Sequence, residues 1–332
     1  MEQLSSEEVW NLNEKDLLKL LEKEYTTQRY KEIGFYAPSF TYYKTKYYRS
    51  SPTSFPTISV TGTSCALNCK HCGGKVLETM HSALLPEDLF ELCSKLKKNG
   101  AQGCLVSGGC LPDGSVPLNR FINTLKRIKQ ELGLTIFVHT GIINYTTAVS
   151  LKKVGVDATL IDIVGSTETL AKISNLQITP KDYSDSLKAL KKAGLNFVPH
   201  VIVGLNHGKL DGELQALKMI KEVKPSAIVI IAFMPIHGTA MAKTPPPKTV
   251  DLAKVVLAAR LMFPETPLIL GCMRPKGAIR DEIDVLSLKA GVDAIAFPSE
   301  EAIKYAERGG SKVFFSSYCC GQMYLDAKAI KK

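Results

Sequence analysis

The stretch Thr57-Ile-Ser-Val-Thr-Gly-Thr-Ser-Cys65-Ala-Leu-Asn-Cys69-Lys-His-Cys72 decides how the rest of the sequence is interpreted. Its first residues predict a short β-strand, and three cysteines with the spacing C-x3-C-x2-C follow at once. A structural zinc site usually takes four protein ligands, and no fourth cysteine or suitably spaced histidine lies beside these three. The spacing therefore favours a [4Fe-4S] cluster with one open iron over a zinc knuckle, and an open iron suits catalysis.

From residue 57 onward, short apolar runs alternate with amphipathic stretches. The predicted strands are Thr57–Thr61, Cys104–Ser107, Thr135–His139, Ala158–Val164, Phe197–Val203, Ala227–Phe233, Leu268–Cys272 and Ala294–Phe297. The predicted helices are Pro86–Asn99, Asn119–Leu132, Thr146–Lys153, Asp182–Ala193, Gly212–Lys224, Val250–Leu261, Arg280–Ala290 and Glu300–Arg308. Continuous apolar runs are typical of parallel strands buried on both faces. Eight βα units over about 250 residues predict an α/β fold, a parallel (β/α)8 TIM-type barrel. The alternative is an open doubly wound sheet, but no G-x-G-x-x-G follows the first strand to support dinucleotide binding.

Two terminal segments flank the predicted barrel, which spans residues 56–310. Residues 1–55 form an N-terminal extension with a helical pattern over Lys15–Glu32 and an aromatic-rich stretch over Phe35–Tyr48. That stretch either packs over one end of the barrel or lines a partner or substrate surface. Residues 311–332 form a C-terminal tail, expected to lie over the barrel top, where the strands end and where such barrels place their chemistry.

Composition narrows the class of protein. Of 332 residues, 45% are hydrophobic and 22% charged, which excludes wholesale disorder. No apolar run is long enough to span a membrane, and the acidic N-terminus is unlike a signal peptide, so we expect a cytoplasmic protein. The net charge of +10 indicates a lysine-rich surface or an acidic partner. Nucleic acid is not expected, because the basic residues are scattered. Nine cysteines, an odd number, argue against a disulfide framework and for metal or redox chemistry.

The cysteine motif after the first strand resembles that of the radical SAM superfamily. The resemblance implies that the open iron chelates S-adenosylmethionine and that an electron from the cluster yields a 5′-deoxyadenosyl radical. Ser107–Cys110 is similar to the family's Gly-Gly-Glu turn for the methionine amino group, with Cys110 in place of the acid. Val201–Gly204 resembles the segment that packs on adenine. His71 lies between two ligands and could hardly turn back onto the same metal. The cofactor-binding candidates are His71, Gly108, Gly109, Asp162, Ser166 and Gly204, with Asp162 and Ser166 as ribose ligands.

Within the superfamily, the full-length pattern resembles the biotin synthase branch. Pro235–Met241, PIHGTAM, is similar to a P-x-x-G-T-P/A-M loop of that branch. The segments FYAPSF (35–40), VHTG (138–141), GCMRPKG (271–277), FPSE (297–300) and SSYCC (316–320) most resemble a subunit of the two-protein lipoyl synthase known mainly from archaea. This resemblance implies an octanoylated lipoyl carrier protein or domain as substrate, a paralogous radical SAM subunit as partner, and an electron donor such as ferredoxin.

Six further cysteines divide by their position in the predicted barrel. Cys93 and Cys104 fall where buried small side chains are expected. Cys110, Cys272, Cys319 and Cys320 fall at strand ends or in the tail and are candidates for an auxiliary cluster. Sulfur-inserting relatives use such a cluster as sulfur donor. Arg274 then either donates a hydrogen bond to that cluster or anchors a carboxylate. Ser316 and Ser317 are possible labile ligands, because Ser-Ser-Tyr is similar to an Arg-Ser-Ser-Tyr motif of single-chain lipoyl synthases, although Phe315 replaces the arginine.

Two histidines within predicted strands, His139 and His200, either satisfy core hydrogen bonds or face the barrel lumen, where they would touch substrate or S-adenosylmethionine. The sequence as a whole predicts a radical SAM sulfurtransferase that makes the lipoyl group on a protein-bound octanoyl chain. Two alternatives stay open. One is biotin synthase-like sulfur insertion into a small molecule, and the other is a non-catalytic iron–sulfur scaffold or electron carrier.

Overall fold

The structure, a computed structural model, describes residues 4–23 and 32–330. Part of the helix predicted over Lys15–Glu32, residues 24–31, lies outside these ranges. In the part of the chain that the structure describes, no helix has both the length and the apolar character needed to cross a membrane.

In the described part of the chain, eleven strands form one sheet. They are β1 (Glu32–Tyr36), β2 (Thr57–Ser59), β3 (His81–Ser82), β4 (Gly103–Ser107), β5 (Thr135–His139), β6 (Ala158–Ile163), β7 (Phe197–Val203), β8 (Ile228–Ala232), β9 (Leu268–Leu270), β10 (Ala294–Ala296) and β11 (Lys312–Ser316). Their order is β11-β1-β10-β9-β8-β7-β6-β5-β4-β2-β3, and every strand pair in the sheet is parallel. All eight predicted strands are present, and their unbroken sequential order confirms the TIM-type architecture over a doubly wound sheet, whose order would reverse.

Within residues 4–23 and 32–330, twelve α-helices accompany the strands. They are α1 (Ser6–Asn11), α2 (Glu14–Glu22), α3 (Pro86–Lys98), α4 (Ile122–Arg127), α5 (Tyr145–Lys153), α6 (Thr167–Ile173), α7 (Pro180–Lys192), α8 (Glu213–Lys221), α9 (Thr249–Met262), α10 (Ile279–Ala290), α11 (Glu300–Arg308) and α12 (Met323–Ile330). The helix predicted over Asn119–Leu132 is instead α4 flanked by a 3-10 turn and a π turn. Helix α6 was not predicted, because its seven residues are too few to establish an apolar period.

The N-terminal segment is part of the barrel sheet rather than a separate extension. It contributes β1, which pairs with β10 on one side and β11 on the other. Helix α9 is apolar almost all round, and helices α1 and α2 cover its outer side. The aromatic stretch packs at the end of β10: the Tyr43 hydroxyl donates to Pro298 O at 2.8 Å, and Phe40 meets Phe297 edge-on.

The tail was predicted to lie over the barrel top, and its last residues lie inside the barrel instead. After β11, the side chains of Cys320, Met323 and Tyr324 are buried against the inner faces of the strands. The Tyr324 hydroxyl donates to Asp157 O at 2.8 Å, one residue before β6 begins and therefore at the bottom of the barrel. The apolar side chains of this segment explain the difference, since burial inside the barrel removes them from water. The end of the tail thus lies in the lower part of the lumen.

Among the described residues, no ladder joins the two edge strands β11 and β3, so the sheet is a partial barrel. The chain before β2 covers the gap. Ser51 N donates to the Ser317 hydroxyl at 3.0 Å, and Gln102 N donates to Ser54 O at 3.0 Å. Phe55 packs edge-on against Phe137 inside the barrel.

Candidate active site

The three-cysteine motif forms a loop at the carboxyl end of β2. The side-chain amide of Asn175 donates to both Leu67 O and Asn68 O at 3.0 Å, which fixes the middle of the loop. Asn68 has a φ of +44°, a left-handed conformation that asparagine tolerates better than most residues. Asn175 was not singled out from sequence, because it lies more than a hundred residues downstream and belongs to no motif.

The Gly-Gly turn after β4 supports the same loop from the neighbouring strand. Gly109 N donates to Thr61 Oγ1 at 2.7 Å. A Cβ at Gly109 would lie 2.0 Å from Ser64 O and 2.7 Å from Cys65 Cα, so only glycine allows this approach. Gly108 and Gly109 therefore position the cysteine loop through the backbone. Their contact with S-adenosylmethionine stays a prediction.

Cys110 does not join the auxiliary set to which the sequence assigned it. It packs with Cys65, Cys69 and Cys72, and Cys110 O accepts a hydrogen bond from Ala66 N at 2.8 Å. The cause is topological: β2 and β4 are neighbours in the sheet, so residues just beyond their carboxyl ends meet. This adjacency was already present in the predicted strand order and would have placed Cys110 correctly.

Mutual hydrogen bonds make two of the loop thiols acidic. A hydrogen bond from Cys110 lowers the pKa of Cys65 to about 5, and one from Cys69 lowers the pKa of Cys72 to about 4. The pKa values of the donors Cys69 and Cys110 are raised in turn, because each proton is shared with a neighbouring sulfur. Thiolates are the form of cysteine that binds iron, so the group is chemically prepared for a cluster.

His71 has a buried ring nitrogen next to these sulfurs. Its Nδ1 has no hydrogen-bond partner within the described part of the chain. A sulfur of Cys69, a sulfur of Cys72 and a His71 nitrogen all lie within 4.8 Å of one another. An unsatisfied buried nitrogen beside acidic thiols fits a missing polar group at this loop. The three cysteines thus fit the [4Fe-4S] cluster predicted for them.

A second loop system lies at the ends of β6 and β7. Gly204 has a φ of +72°, and its N–H donates to Glu213 Oε1 at 2.8 Å. The Ser166 hydroxyl caps helix α6 by accepting from Thr169 N and donates to Asp211 Oδ2 at 2.6 Å. Both its hydrogen-bonding roles are therefore used within the protein. Binding of adenine by Gly204 and of ribose by Ser166 stay predictions.

Three polar side chains on adjacent strands face one another inside the barrel: His139 on β5, Asp162 on β6 and His200 on β7. His139 Nε2 lies 3.5 Å from Asp162 Oδ1. Burial opposes protonation of His139, but the Asp162 carboxylate outweighs it and raises the pKa of His139. Burial alone would raise the pKa of Asp162, but His139 and His200 outweigh burial and lower this pKa to about 2. Burial lowers the pKa of His200 to about 4. Asp162 thus has a histidine partner in the lumen, and its ribose contact stays a prediction.

The remaining candidate cysteines form a second group inside the barrel. Cys272, Cys319 and Cys320 all pack with the apolar residues that line the lumen. Burial raises the pKa of Cys272 to about 11, and the Cys319 charge adds to the effect. Cys320 donates to Cys319 and thereby lowers the pKa of Cys319, which His139 lowers further. The polar residues of the lumen are thus electrostatic neighbours of both cysteine groups, since His71 also lowers the pKa of Asp162.

Three other residues predicted near this second group have protein partners. Arg274 is fully buried, and its guanidinium donates to Asp284, Gly271 O, Ala296 O and Phe297 O. It anchors a carboxylate, which is the second of the two roles considered for it. The Ser317 hydroxyl lies 2.6 Å from the Tyr48 hydroxyl, and Ser316 Oγ accepts from Tyr318 N at 3.2 Å. Ligation by either serine stays a prediction.

Cys93 and Cys104, predicted to be buried small side chains, are both 1% exposed or less. They lie on α3 and β4, outside both cysteine groups. Their burial is in keeping with the prediction that both are small buried side chains. Their placement leaves seven cysteines in the barrel interior or at its top.

Comparisons with known proteins agree with this geometry. The family model of the Radical SAM superfamily matches residues 59–224. The biotin synthase of Neorickettsia sennetsu is 28% identical over 256 residues, covering 72% of this chain and 74% of that protein. The biotin synthase of Coxiella burnetii, strain Dugway 5J108-111, is 26% identical over 243 residues, covering 71% and 74%.

Solved structures share the fold over nearly the whole chain. Methylornithine synthase superposes with a TM-score of 0.64 at 16% identity, covering 99% of this chain and 97% of that one. The maturase HydG of the FeFe-hydrogenase from Carboxydothermus hydrogenoformans superposes with a TM-score of 0.65 at 15% identity, covering 99% and 80%. At these identities the likeness concerns the fold alone.

Proposed function

Because the chain belongs to the radical SAM superfamily, in its biotin synthase-like branch, we propose that it inserts sulfur into unactivated C–H bonds of a protein-bound octanoyl chain. The chain uses S-adenosylmethionine and a [4Fe-4S] cluster, which when bound supply a 5′-deoxyadenosyl radical able to remove hydrogen from such carbons. Cys65, Cys69 and Cys72 hold this cluster. The proposal assigns a donor cluster to the second cysteine group and the lipoyl group as product.

One observation carries the proposal. Cys272, Cys319 and Cys320 belong to one cluster inside the barrel, whereas the loop of the first three cysteines belongs to another. An enzyme that only reduces and cleaves S-adenosylmethionine needs one cysteine group, whereas sulfur insertion needs a sulfur source within reach of the substrate carbon.

In this proposal, the residues that hold the first cysteine loop and the residues of the tail have different tasks. Asn175, Thr61 and Gly109 hold the upper loop, so the first cluster is fixed relative to the strands. The tail closes the bottom with Met323 and Tyr324 and excludes water from below.

The partners are part of the same proposal. We assign an octanoylated lipoyl carrier protein or domain as substrate, a paralogous radical SAM subunit as partner and a ferredoxin-like electron donor. Such carrier domains are commonly acidic, and the net charge of +10 on this chain favours their encounter. The electrostatic range falls from about 10 Å at 0.1 M salt to about 3 Å at 1 M.

The test compares two substrates under anaerobic conditions with dithionite. The expected result is sulfur on the octanoylated carrier, detected by mass spectrometry, with activity falling as salt rises. The second candidate, sulfur insertion into a free biotin precursor, is favoured by the two biotin synthase relatives. Sulfur on the free precursor and none on the carrier, with equal rates at low and high salt, would support that candidate and contradict ours. Absence of S-adenosylmethionine cleavage would favour a scaffold or electron carrier.

A further inference from the structure

The lumen trio, defined as His139, Asp162 and His200, has the composition of a metal site and is separate from both cysteine groups. We propose that the lumen trio binds one divalent transition-metal ion, and that the ion is the ferrous iron that the donor site loses when it gives up sulfide. The site itself follows from the geometry of the trio. The identity of its cargo rests on the proposed function.

The distances suit one ion. A nitrogen of each histidine and a carboxylate oxygen of Asp162 all lie within 4.8 Å of one another. Ligands about 2.1 Å from a tetrahedral ion are about 3.4 Å apart, so small side-chain rotations close the site. Because the three residues stand on three consecutive, paired strands, the backbone holds them at this spacing.

The tautomer of His200 is set for ligation. Its Nδ1 lies 3.1 Å from Val198 O, and since a carbonyl only accepts, Nδ1 carries the proton. Nε2 therefore keeps its lone pair. Metal-bound histidines commonly donate their other ring nitrogen to a backbone carbonyl, which orients the ring. A simple His139–Asp162 ion pair would not require this orientation of a second histidine.

The trio is also accessible from inside the barrel. The side chain of Asp162 is 40% exposed and that of His139 is 24% exposed, although burial is the leading influence on the pKa of each. Side chains that are partly exposed although burial dominates their pKa values line an internal space of the barrel.

The position of the trio connects it to the donor site. Gly321, two residues after Cys319, lies against the side chain of Leu160, whose ladder partner on β5 is His139. His139 is accordingly an electrostatic neighbour of Cys319 in the second cysteine group. Two imidazoles and one carboxylate form the ligand set that non-haem ferrous sites use. A cluster that gives up sulfide must also release iron, and free ferrous iron beside a carbon radical is a hazard. A ligand set next to Cys319 retains that iron within the protein.

Cobalt binding tests the site without any cluster. In the full-length chain carrying C65A/C69A/C72A/C110A/C272A/C319A/C320A, we expect one Co²⁺ per chain with visible d–d absorption. Adding H139A and H200A should weaken Co²⁺ binding by about tenfold or more, since two of three ligands are lost. Adding H81A, an exposed histidine on β3, should leave binding unchanged. Equal Co²⁺ binding in all three backgrounds, or none in the first, overturns the site.

A second measurement uses the chain with all its cysteines, in case the sevenfold variant does not fold. After anaerobic reconstitution and desalting, one equivalent of ⁵⁷Fe²⁺ should give a mononuclear high-spin ferrous Mössbauer signal. The signal should be lost in H139A/H200A and kept in H81A. A signal kept in H139A/H200A overturns the site. Neither titration needs S-adenosylmethionine or substrate, so failure of the site is distinguishable from failure of the proposed function.

The cargo is tested by a single turnover. Ferrous iron should stay with the wild-type chain after gel filtration and appear in the small-molecule fraction from H139A/H200A. Equal release from both overturns the retention role. A chain that binds Co²⁺ at the trio but inserts no sulfur would keep the site and overturn its assigned cargo.

Discussion

Arg274 Nε donates to Asp284 Oδ1 at 2.8 Å and Arg274 Nη2 donates to Asp284 Oδ2 at 3.1 Å, and neither side chain is exposed to solvent. Arg274 follows Cys272 by two residues and lies in the loop after β9, whereas Asp284 lies on helix α10. The pair therefore joins this loop to the helix. Asp284 also accepts from Ser299 N at 2.8 Å, which ties the pair to the start of α11. The loop that carries Cys272 is therefore fixed by a buried charge pair.

Breaking this pair should destabilise the fold strongly. Arg274→Met leaves Asp284 as an unpaired buried charge, and such changes typically cost about 3–5 kcal/mol. The free energy of unfolding from urea denaturation measures the effect. Arg127→Met is the matched control, because Arg127 pairs with Glu87 and Glu131 at the exposed surface and its loss should change the free energy of unfolding far less. If R274M/D284L proves less stable than R274M alone, the explanation by an unpaired charge is wrong.

The backbone approach at Gly109 makes a prediction about the first cluster. Gly109→Ala should displace the cysteine loop, because the new Cβ would meet Ser64 O at 2.0 Å. Iron content and the reducible iron–sulfur absorption should both fall while the far-ultraviolet circular dichroism stays near that of the wild type. Gly309→Ala is the control, since its Cβ would meet nothing nearer than 3.5 Å. A fully loaded G109A chain would contradict the assigned close approach.

The acidic thiols of the upper loop predict where S-adenosylmethionine is cleaved. C65A/C69A/C72A should produce no 5′-deoxyadenosine under dithionite, because the [4Fe-4S] cluster loses its three ligands. Chromatography of the quenched reaction measures the product. Cys93→Ala, buried on α3, should retain most of the activity. Continued cleavage by the triple variant, or zinc in place of iron in the wild type, would refute the assignment.

The second cysteine group should be dispensable for cleavage and necessary for sulfur insertion. C272A/C319A should lower iron by up to about one cluster per chain. It should leave 5′-deoxyadenosine formation largely intact and abolish sulfur transfer. Point substitutions are preferable to truncation, because removing the tail would expose the space that Met323 and Tyr324 fill. Unchanged iron together with continued sulfur insertion would leave these cysteines as structural residues.

Glu213 gives the fold a pH dependence that runs opposite to that of most carboxylates. Burial raises the pKa of Glu213 from 4.5 to about 7 in the folded chain. Between these values the unfolded chain loses the proton and the folded chain keeps it, so stability falls as pH rises from 4.5 to 7. The loss amounts to about 3 kcal/mol at most, at 1.36 kcal/mol per pKa unit.

Glu213→Gln should therefore flatten the profile. The difference in unfolding free energy between pH 5 and pH 8 should shrink relative to the wild type, whatever the constant cost of altered bonds to Gly204 N and Asp211 N. Urea denaturation at both pH values measures it. Glu301→Gln, exposed on α11, is the control. Identical pH profiles for E213Q and the wild type would contradict the raised pKa of Glu213.

The sequence predicted the barrel strands well because each is a continuous apolar run that is buried on both faces. It did not predict β1 or β11. Ile33, Gly34 and Phe35 form too short a run to signal a strand alone, and their partners at 294–296 and 312–316 are distant in sequence. Short strands of this kind are defined by tertiary pairing rather than by local pattern.

The candidate site was partly predictable for the same reason. The loop of Cys65, Cys69 and Cys72 is a local motif, and its spacing carries its chemistry. The placement of Cys110 depended on which strands are neighbours, and the tail position depended on which apolar surfaces lack a cover. Asn175, which fixes the cysteine loop from a distance, is a polar residue with no sequence signal at all.

The parallel pairing of β1 between β10 and β11 has a consequence for biosynthesis. On the ribosome, β1 is made early, yet both of its neighbours emerge only after the rest of the barrel. The cysteine loop after β2 is complete long before Cys319 and Cys320 leave the exit tunnel. Maturation therefore has a built-in order: the loop of the first three cysteines is complete early, and the second cysteine group is assembled only on a chain whose last sheet edge has been finished.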